Sequence, residues 1–439
     1  MPILLDLTPL RVSPAYRRLF TGFTLAGVGS QLTIVAIGLQ VYALTGSSFS
    51  VGLVGLFALV PIIVMGLYGG ALIDAHDRRT VALVASGVMW SSGILTAMQA
   101  WLGNTNPSVL YLLVAVNSAG FAVVSPARSA IYPRLLDRGL LPAANALTVF
   151  AFNVALTVGP LLAGFLVAWR GYTLAYSVDV VLFTSAIWGL FRLPPIPPEP
   201  PPEGLSPGLS ARRPGFASVL DGLRFLGTRP NVRMTFLADL CAMILAMPRA
   251  LFPAVAALAF GGGARTVGLM ASAMALGSIV AMIFSGRLGH LRRQGLAVVV
   301  CVALWGVSIF GFGLAVGSAG SLLTRSSAFL VGAFFLACAG AADSVSAVFR
   351  TTILQAATPD YMRGRLQGVF IVVVAGGPRL GDFVSGSVAT AYSEAFAAIA
   401  GGIACVLAVA ALAAWQRGFL RYDARNPTPW PWELRMGGR

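Results

Sequence analysis

The stretch Gly70-Ala71-Leu72-Ile73-Asp74-Ala75-His76-Asp77-Arg78-Arg79 lies between two long apolar segments, Val51 to Ile73 and Thr80 to Leu102. So short a connection forces its flanking helices into a tight hairpin. Gly70 lets backbones approach closely, Asp74 falls where one helix ends, and Arg78 and Arg79 fall where the next begins. The turn carries more charge than either helix beside it.

Working outward, 57% hydrophobic residues, 10% charged residues and a mean hydropathy of +0.83 exclude a soluble domain for a chain of 439 residues. A helix needs about 20 apolar residues to cross the hydrocarbon. Stretches of that order run over 19–44, 51–73, 80–102, 109–127, 143–169, 172–191, 235–260, 267–288, 296–316, 328–349, 366–392 and 395–415. The expected fold is an all-α membrane protein of twelve transmembrane helices in two pseudo-symmetric six-helix bundles. A membrane β-barrel is excluded because period-two alternation is missing.

The net charge of +15 comes from thirty basic residues, all of them Arg. With the N-terminus in the cytoplasm, Arg170, Arg265 and Arg325 fall outside, Arg249 and Arg379 fall inside spans, and the remainder fall on the cytoplasmic side. This asymmetry is the positive-inside rule and places both termini in the cytoplasm. No basic helix with interleaved aromatics lies outside the membrane, so nucleic acid is not expected as a partner. The tail arginines Arg417, Arg421, Arg425, Arg435 and Arg439 fit anionic lipid headgroups better. The first eighteen residues lack the apolar core of a signal peptide, so the first span is expected to be retained. Cys241, Cys301, Cys338 and Cys405 all fall in spans and read as buried thiols; His76 and His290 have no second ligand nearby, so no metal site, cofactor or catalytic residue is expected.

Pro194-Pro195-Ile196-Pro197-Pro198-Glu199-Pro200-Pro201-Pro202 is a stiff extended spacer that divides six spans from six. The expected organisation is an N-terminal bundle over 1–191, a cytoplasmic linker over 192–234, a C-terminal bundle over 235–415 and a basic tail over 416–439. The halves also resemble each other. Pro126-Ala127-Arg128 after the fourth span matches Val348-Phe349-Arg350 after the tenth, and Gly159-Pro160 in the next helix matches Gly377-Pro378. The offset near 220 residues relates the halves in the same orientation, which implies alternating access around a central site.

These residues resemble the major facilitator superfamily over nearly the whole chain. Gly70, Asp74, Arg78 and Arg79 match its loop motif between helices two and three, although Ala75 stands where a basic residue is usual and Asp77 where Gly is. Gly159, Pro160 and Gly164 resemble the helix-five motif of antiporters. Tyr42 to Ser48, Leu141 to Leu147, Met247 to Pro253 and Gly376 to Asp382 are similar to the enterobactin-exporter and macrolide-efflux branch. The resemblance implies proton-coupled antiport of a small amphipathic molecule, siderophore or drug-like, by a monomer in the cytoplasmic (inner) membrane of a bacterium.

Six ionisable residues lie inside the expected spans: Asp179, Asp239, Arg249, Asp343, Arg379 and Asp382. A charge facing lipid is costly, so each should face the interior or another charge. Arg249 and Arg379 each follow a proline, Pro248 and Pro378, about 20 Å into their helices at 1.5 Å per residue. A guanidinium stays protonated, so both suit anion attraction or pairing with an Asp. Asp382, at i+3 from Arg379, is placed for such a pair. Asp239 and Asp343, with Asp382 third, are candidate proton carriers; Asp179 reads as structural. Gln31 and Gln40 are candidates for the transport pathway, on opposite sides of the first helix. Gly70, Asp74, Asp77, Arg78, Arg79 and Arg128 are expected to form a cytoplasmic gate, with Asp74 pairing with Arg78 or Arg128, and Gly159, Pro160 and Gly164 to seal a helix crossing.

A proton-coupled exporter accounts for this pattern. The chain has no Lys and therefore no phosphate-binding loop of the GxxxxGK[ST] type, which excludes an ATP pump within it. An importer, or a non-transporting scaffold or sensor of the same fold, stays open. An enzyme would need a His, Cys or carboxylate cluster at common depth, and the sequence offers none.

Overall fold

The structure, a computed structural model, describes residues 6–197, 224, 226–283, 291–356 and 360–423. The N-terminal half contains α1 (Pro14–Thr45), α2 (Ser48–Ala75), α3 (Arg78–Trp101) and α4 (Pro107–Leu135), followed by one helix of 51 residues, Leu141–Phe191. At 1.5 Å per residue that helix would extend about 75 Å, more than twice the hydrocarbon thickness, so it must turn back. It does so at Gly171, whose φ of 78° and ψ of −171° leave helical space. The portions before and after the bend are α5 (141–170) and α6 (172–191). The C-terminal half contains α7 (Pro230–Ala259), α8 (Ala264–Ile283), α9 (Gln294–Ser318), α10 (Arg325–Ala356), α11 (Asp360–Ala391) and α12 (Glu394–Trp415).

Ten helices among the described residues are long and apolar enough to cross a membrane, the 51-residue helix counted as one of them. The twelve expected stretches map onto these ten when Leu141–Phe191 is divided at Gly171 and Asp360–Ala391 is added. The chain is an all-α membrane protein. Large apolar side chains face outward along the helices, among them Val84, Leu112, Val181 and Leu330, at 64–70% exposure. Outward apolar surface on every long helix suits a lipid solvent and no aqueous one.

Helix starts follow the capping residues. The Asp77 carboxylate accepts the Thr80 N–H at 2.8 Å, Asn106 accepts that of Ser108 at 2.9 Å with Pro107 behind it, and Ser393 accepts that of Phe396 at 3.1 Å. Gly46, at φ 63°, ends α1 and leaves only itself and Ser47 before α2. The turn after α2 is shorter still than its ten-residue knot: α2 runs to Ala75 and α3 starts at Arg78, leaving His76 and Asp77. Two differences from the expected boundaries appear. α7 begins at Pro230, inside the expected linker, and the first linker residues are packed, with Leu193 and Ile196 buried against the N-terminal core. Residues 198–223 and 424–439 lie outside the described residues, as does His290.

The helices pass between a near end, which holds the start of α1 and the α2–α3 turn, and a far end, which holds Gly46 and the α7–α8 turn. One core surrounds Tyr16, Leu19 and Leu190 in the N-terminal half and another surrounds Met270, Trp305 and Phe312 in the C-terminal half. Toward the far end the halves interlock. Ala250 of α7 packs in a cluster with Leu32, Val41 and Ala175, while Leu39 of α1 joins the C-terminal core.

Candidate functional site

Small residues make the crossings between halves. On α5 and α8, a Cβ added to Gly164 would meet the Ala264 carbonyl at 2.7 Å, and one on Gly268 would meet that of Pro160 at 2.5 Å; the Ser272 hydroxyl donates to the Thr157 carbonyl at 2.9 Å. On α2 and α11, Cβ atoms on Gly52 and Gly55 would each meet a carbonyl at 2.6 Å, those of Asp382 and Arg379. Ser48 donates to Glu394 at 2.9 Å beside this contact. Both crossings sit toward the far end. Gly159 faces the other way, onto α1, where its added Cβ would meet that of Gln31 at 2.5 Å. The helix-five motif thus splits its work: Gly159 packs within the half, Pro160 and Gly164 across halves.

Between the crossings α7 is broken. Ala246 leaves helical space at φ −128° and ψ 35°, and a 3₁₀ turn over Arg249–Leu251 follows Pro248. The break is where proline removes a donor and clashes with the preceding turn. Trp305 is buried and donates its indole N–H to the Ala246 carbonyl at 3.2 Å. Arg249 is exposed at the break. Asp382 on α11 accepts the Ala250 N–H, feels Arg249 and Arg379 as its charged neighbours, and keeps its Oδ1 without a partner. The expected i+3 pair does not close: Arg379 turns back to the Ala375 carbonyl of its own helix at 2.5 Å, and no ion pair joins it to Asp382 among the described residues. Two cations and one carboxylate leave this site with a net positive charge.

A second charged group lies nearer the other end. Arg350 of α10 forms an ion pair with Asp239 of α7 and reaches Asp343, two turns earlier on the same face of α10, at 3.1 Å. Asp239 and Asp343 are both sequence candidates, and the structure brings them together through a residue the sequence reasoning used only as a repeat marker. The signal was present: Arg350 follows Asp343 by seven residues, two turns along one face.

Gln31 is half-buried against Gly159. Gln40 is buried and fully engaged within the N-terminal half, exchanging hydrogen bonds with Gln99 at 3.3 and 3.1 Å and accepting from the Tyr176 hydroxyl at 2.8 Å. These bonds tie α1 to α3 and α6 at Gln40. Asp179 of α6 is buried at 7% exposure, accepts the Thr33 hydroxyl of α1 at 2.6 Å and leaves Oδ1 without a partner.

At the near end the knot fastens the N-terminal half to the start of the linker. Asp77 caps α3 with Oδ1 and accepts the Ile196 N–H at 2.5 Å with Oδ2, while the Arg78 N–H donates to the Ile196 carbonyl at 3.0 Å. Arg79 donates to the Leu190 and Phe191 carbonyls, at 3.3 and 2.7 Å, where α6 ends. Arg78 also reaches the Ala130 carbonyl at 3.4 Å, and Arg128 lies 5.0 Å over the Phe23 ring. Only the backbone is described for Gly70 and Asp74, so the expected pairing of Asp74 with Arg78 or Arg128 lies outside the described residues. The C-terminal half repeats the fastening: the Gln294 N–H at the start of α9 donates to the Tyr422 carbonyl at 3.0 Å, with Phe419 buried beneath. Burial there pushes the Tyr422 phenol above its ordinary range.

Two helical halves, crossing through glycines and flanking a broken helix with paired and unpaired charge at depth, are the architecture of a major facilitator superfamily transporter. The chain belongs to the family of transmembrane secretion effectors, whose profile matches residues 5–432. It is 29% identical over 429 residues to the enterobactin exporter EntS of Citrobacter koseri, covering 98% of this chain and 97% of that one. It is 28% identical to the EntS of Salmonella typhimurium, covering 92% of each. Among solved structures the fold is similar to the nucleoside transporter NupG, with a TM-score of 0.66 at 15% identity over 93% of this chain and 100% of that one. It is also similar to the POT family transporter PepTSo, with a TM-score of 0.69 at 14% identity over 94% of this chain and 99% of that one. The chain is an integral membrane transporter and not an enzyme.

Proposed function

We propose that this chain is a proton-coupled antiporter that exports a small amphipathic, anionic molecule of the siderophore or drug-like class by alternating access. The observation that carries the proposal is the broken α7, where Arg249, Arg379 and Asp382 meet beside the crossings between halves. A guanidinium that cannot titrate attracts an anionic or phenolate-bearing cargo, and a carboxylate with a free oxygen can release one. The relatives named for enterobactin export support the same cargo class.

In this proposal the molecule works as a monomer with twelve crossings in a bacterial inner membrane, in contact with lipid, and both termini are cytoplasmic. The far-end crossings of Gly52, Gly55, Gly164 and Gly268 then make the structure closed to the outside. Asp77, Arg78 and Arg79 hold the cytoplasmic face of the N-terminal half, with Gly70, Asp74 and Arg128 as the remaining gate residues. Asp239 and Asp343, joined by Arg350, lie within the pathway side of the C-terminal half.

The test is efflux of a panel of siderophores and lipophilic antibiotics from energised vesicles. Export that collapses when a protonophore dissipates the gradient is expected. Export that tracks ATP and ignores the gradient would overturn the proposal, and binding with no movement would favour a scaffold or sensor.

A further inference from the structure

The three interior aspartates of the C-terminal half, Asp239, Asp343 and Asp382, each face an arginine. Asp239 and Asp343 share Arg350, and Asp382 sits between Arg249 and Arg379. Asp179 differs. It lies on α6, twelve residues before Phe191 and eight after the bend at Gly171, and is 7% exposed. On α1 it meets Thr33, whose hydroxyl it accepts at 2.6 Å, and Gly29, where the carboxylate occupies the space that a Cβ would fill. On α3 the neighbouring groups are Trp90, which donates to the Val180 carbonyl at 3.4 Å, and Gly93, which packs on Val180. None of these is charged or titrates in the working range. Arg18, the basic residue of α1 on this seam, touches Gly189 ten residues farther along α6, about 15 Å away at 1.5 Å per residue. Oδ1 of Asp179 has no hydrogen-bond partner.

A buried carboxylate with no cation and one empty oxygen is costly to hold as an anion. We infer that Asp179 is the group that carries the coupling proton, a role that rests on the antiporter proposed above. A proton from water on the outer side forms the O–H bond at Asp179, and the same bond breaks when the proton passes to water on the cytoplasmic side. Thr33 fits this cycle because a hydroxyl donates to a carboxylate and accepts from a carboxylic acid. It is only half-buried, so its hydroxyl is not sealed within the core as the Asp179 carboxylate is. The sequence placed this Asp as structural, because position along a helix does not tell which acids find a cation.

The experiment uses the full chain in lipid bilayers. Infrared difference spectra between high and low pH are expected to show a carboxylic-acid carbonyl band that is present in wild type and missing in Asp179→Asn. A difference spectrum that Asp179→Asn leaves unchanged overturns the assignment and leaves the exporter proposal standing. In proteoliposomes, with enterobactin as the probe, wild type is expected to accumulate against its gradient when a pH gradient is imposed. Asp179→Asn is expected to lose at least tenfold of that accumulation while keeping exchange at equal concentrations within about twofold. Probe movement that ignores the pH gradient in wild type overturns the exporter proposal whatever the band does. Should Asp179→Asn not fold, Asp179→Glu is expected to keep the band at a displaced pH midpoint, and an unmoved midpoint overturns the assignment.

Discussion

The two halves are built alike and charged differently. Each has a third helix whose first N–H reaches back to a segment beyond the sixth, Arg78 to Ile196 in one half and Gln294 to Tyr422 in the other. Each offers glycines to its partner across the far-end crossings. Yet the C-terminal half holds its interior acids against Arg350, Arg249 and Arg379, while the N-terminal half keeps Asp179 against a threonine and a glycine. Repetition supplies the moving frame; the differences supply the chemistry.

Breaking the frame should have the largest effect. Gly164→Val or Gly268→Val would drive a side chain into the facing backbone, at 2.7 or 2.5 Å from a carbonyl before any further atoms are added. Transport is expected to fall below detection, and a cysteine-accessibility assay on the far end should show that face standing open. Removing the cation of the C-terminal triad comes next. Arg350→Ala leaves Asp239 and Asp343 without their shared partner, and stripping one side of a buried ion pair costs about 3–5 kcal/mol. A markedly lower unfolding temperature in detergent is expected, with recovery in the double variant Arg350→Ala, Asp239→Asn.

The broken helix should respond more mildly. Arg249→Gln and Arg379→Gln each remove one charge from the cargo site, and a loss of about 1.4 kcal/mol is about tenfold in Kd. Anionic probes are expected to weaken to that degree, measured by binding titration, while neutral probes change little. The smallest effect belongs to the knot. Asp77→Ala deletes a helix cap worth about 1 kcal/mol together with the acceptor for Ile196. Faster proteolysis near residue 196 is expected, with transport reduced by no more than about threefold.

Much of this comparison was legible before any coordinates. The long apolar stretches gave the helices and the membrane class, because these depend on local sequence and on the dry solvent around it. Partnership across helices was not legible. Arg350 was visible as a repeat marker, but its fork between Asp239 and Asp343 depends on how α7 and α10 rotate toward each other. The partners of Gln40, Gln99 and Tyr176, are distant in sequence, and Asp77 looked like a departure from a motif because the Ile196 backbone it holds is 119 residues away. Asp179 was the hardest to place, since what marks it is the cation it lacks.

The account turns on one event, the opening of the far end when the N-terminal half changes its protonation. It is tested most directly by the distance between nitroxide labels at Asn106 and Tyr392, exposed far-end positions on opposite halves. Double electron–electron resonance in lipid nanodiscs should show a single short distance at high pH and a second, longer population as the pH falls, with the longer population dominant in Asp179→Asn at every pH. One unchanging distance across pH, cargo and variant would contradict the account.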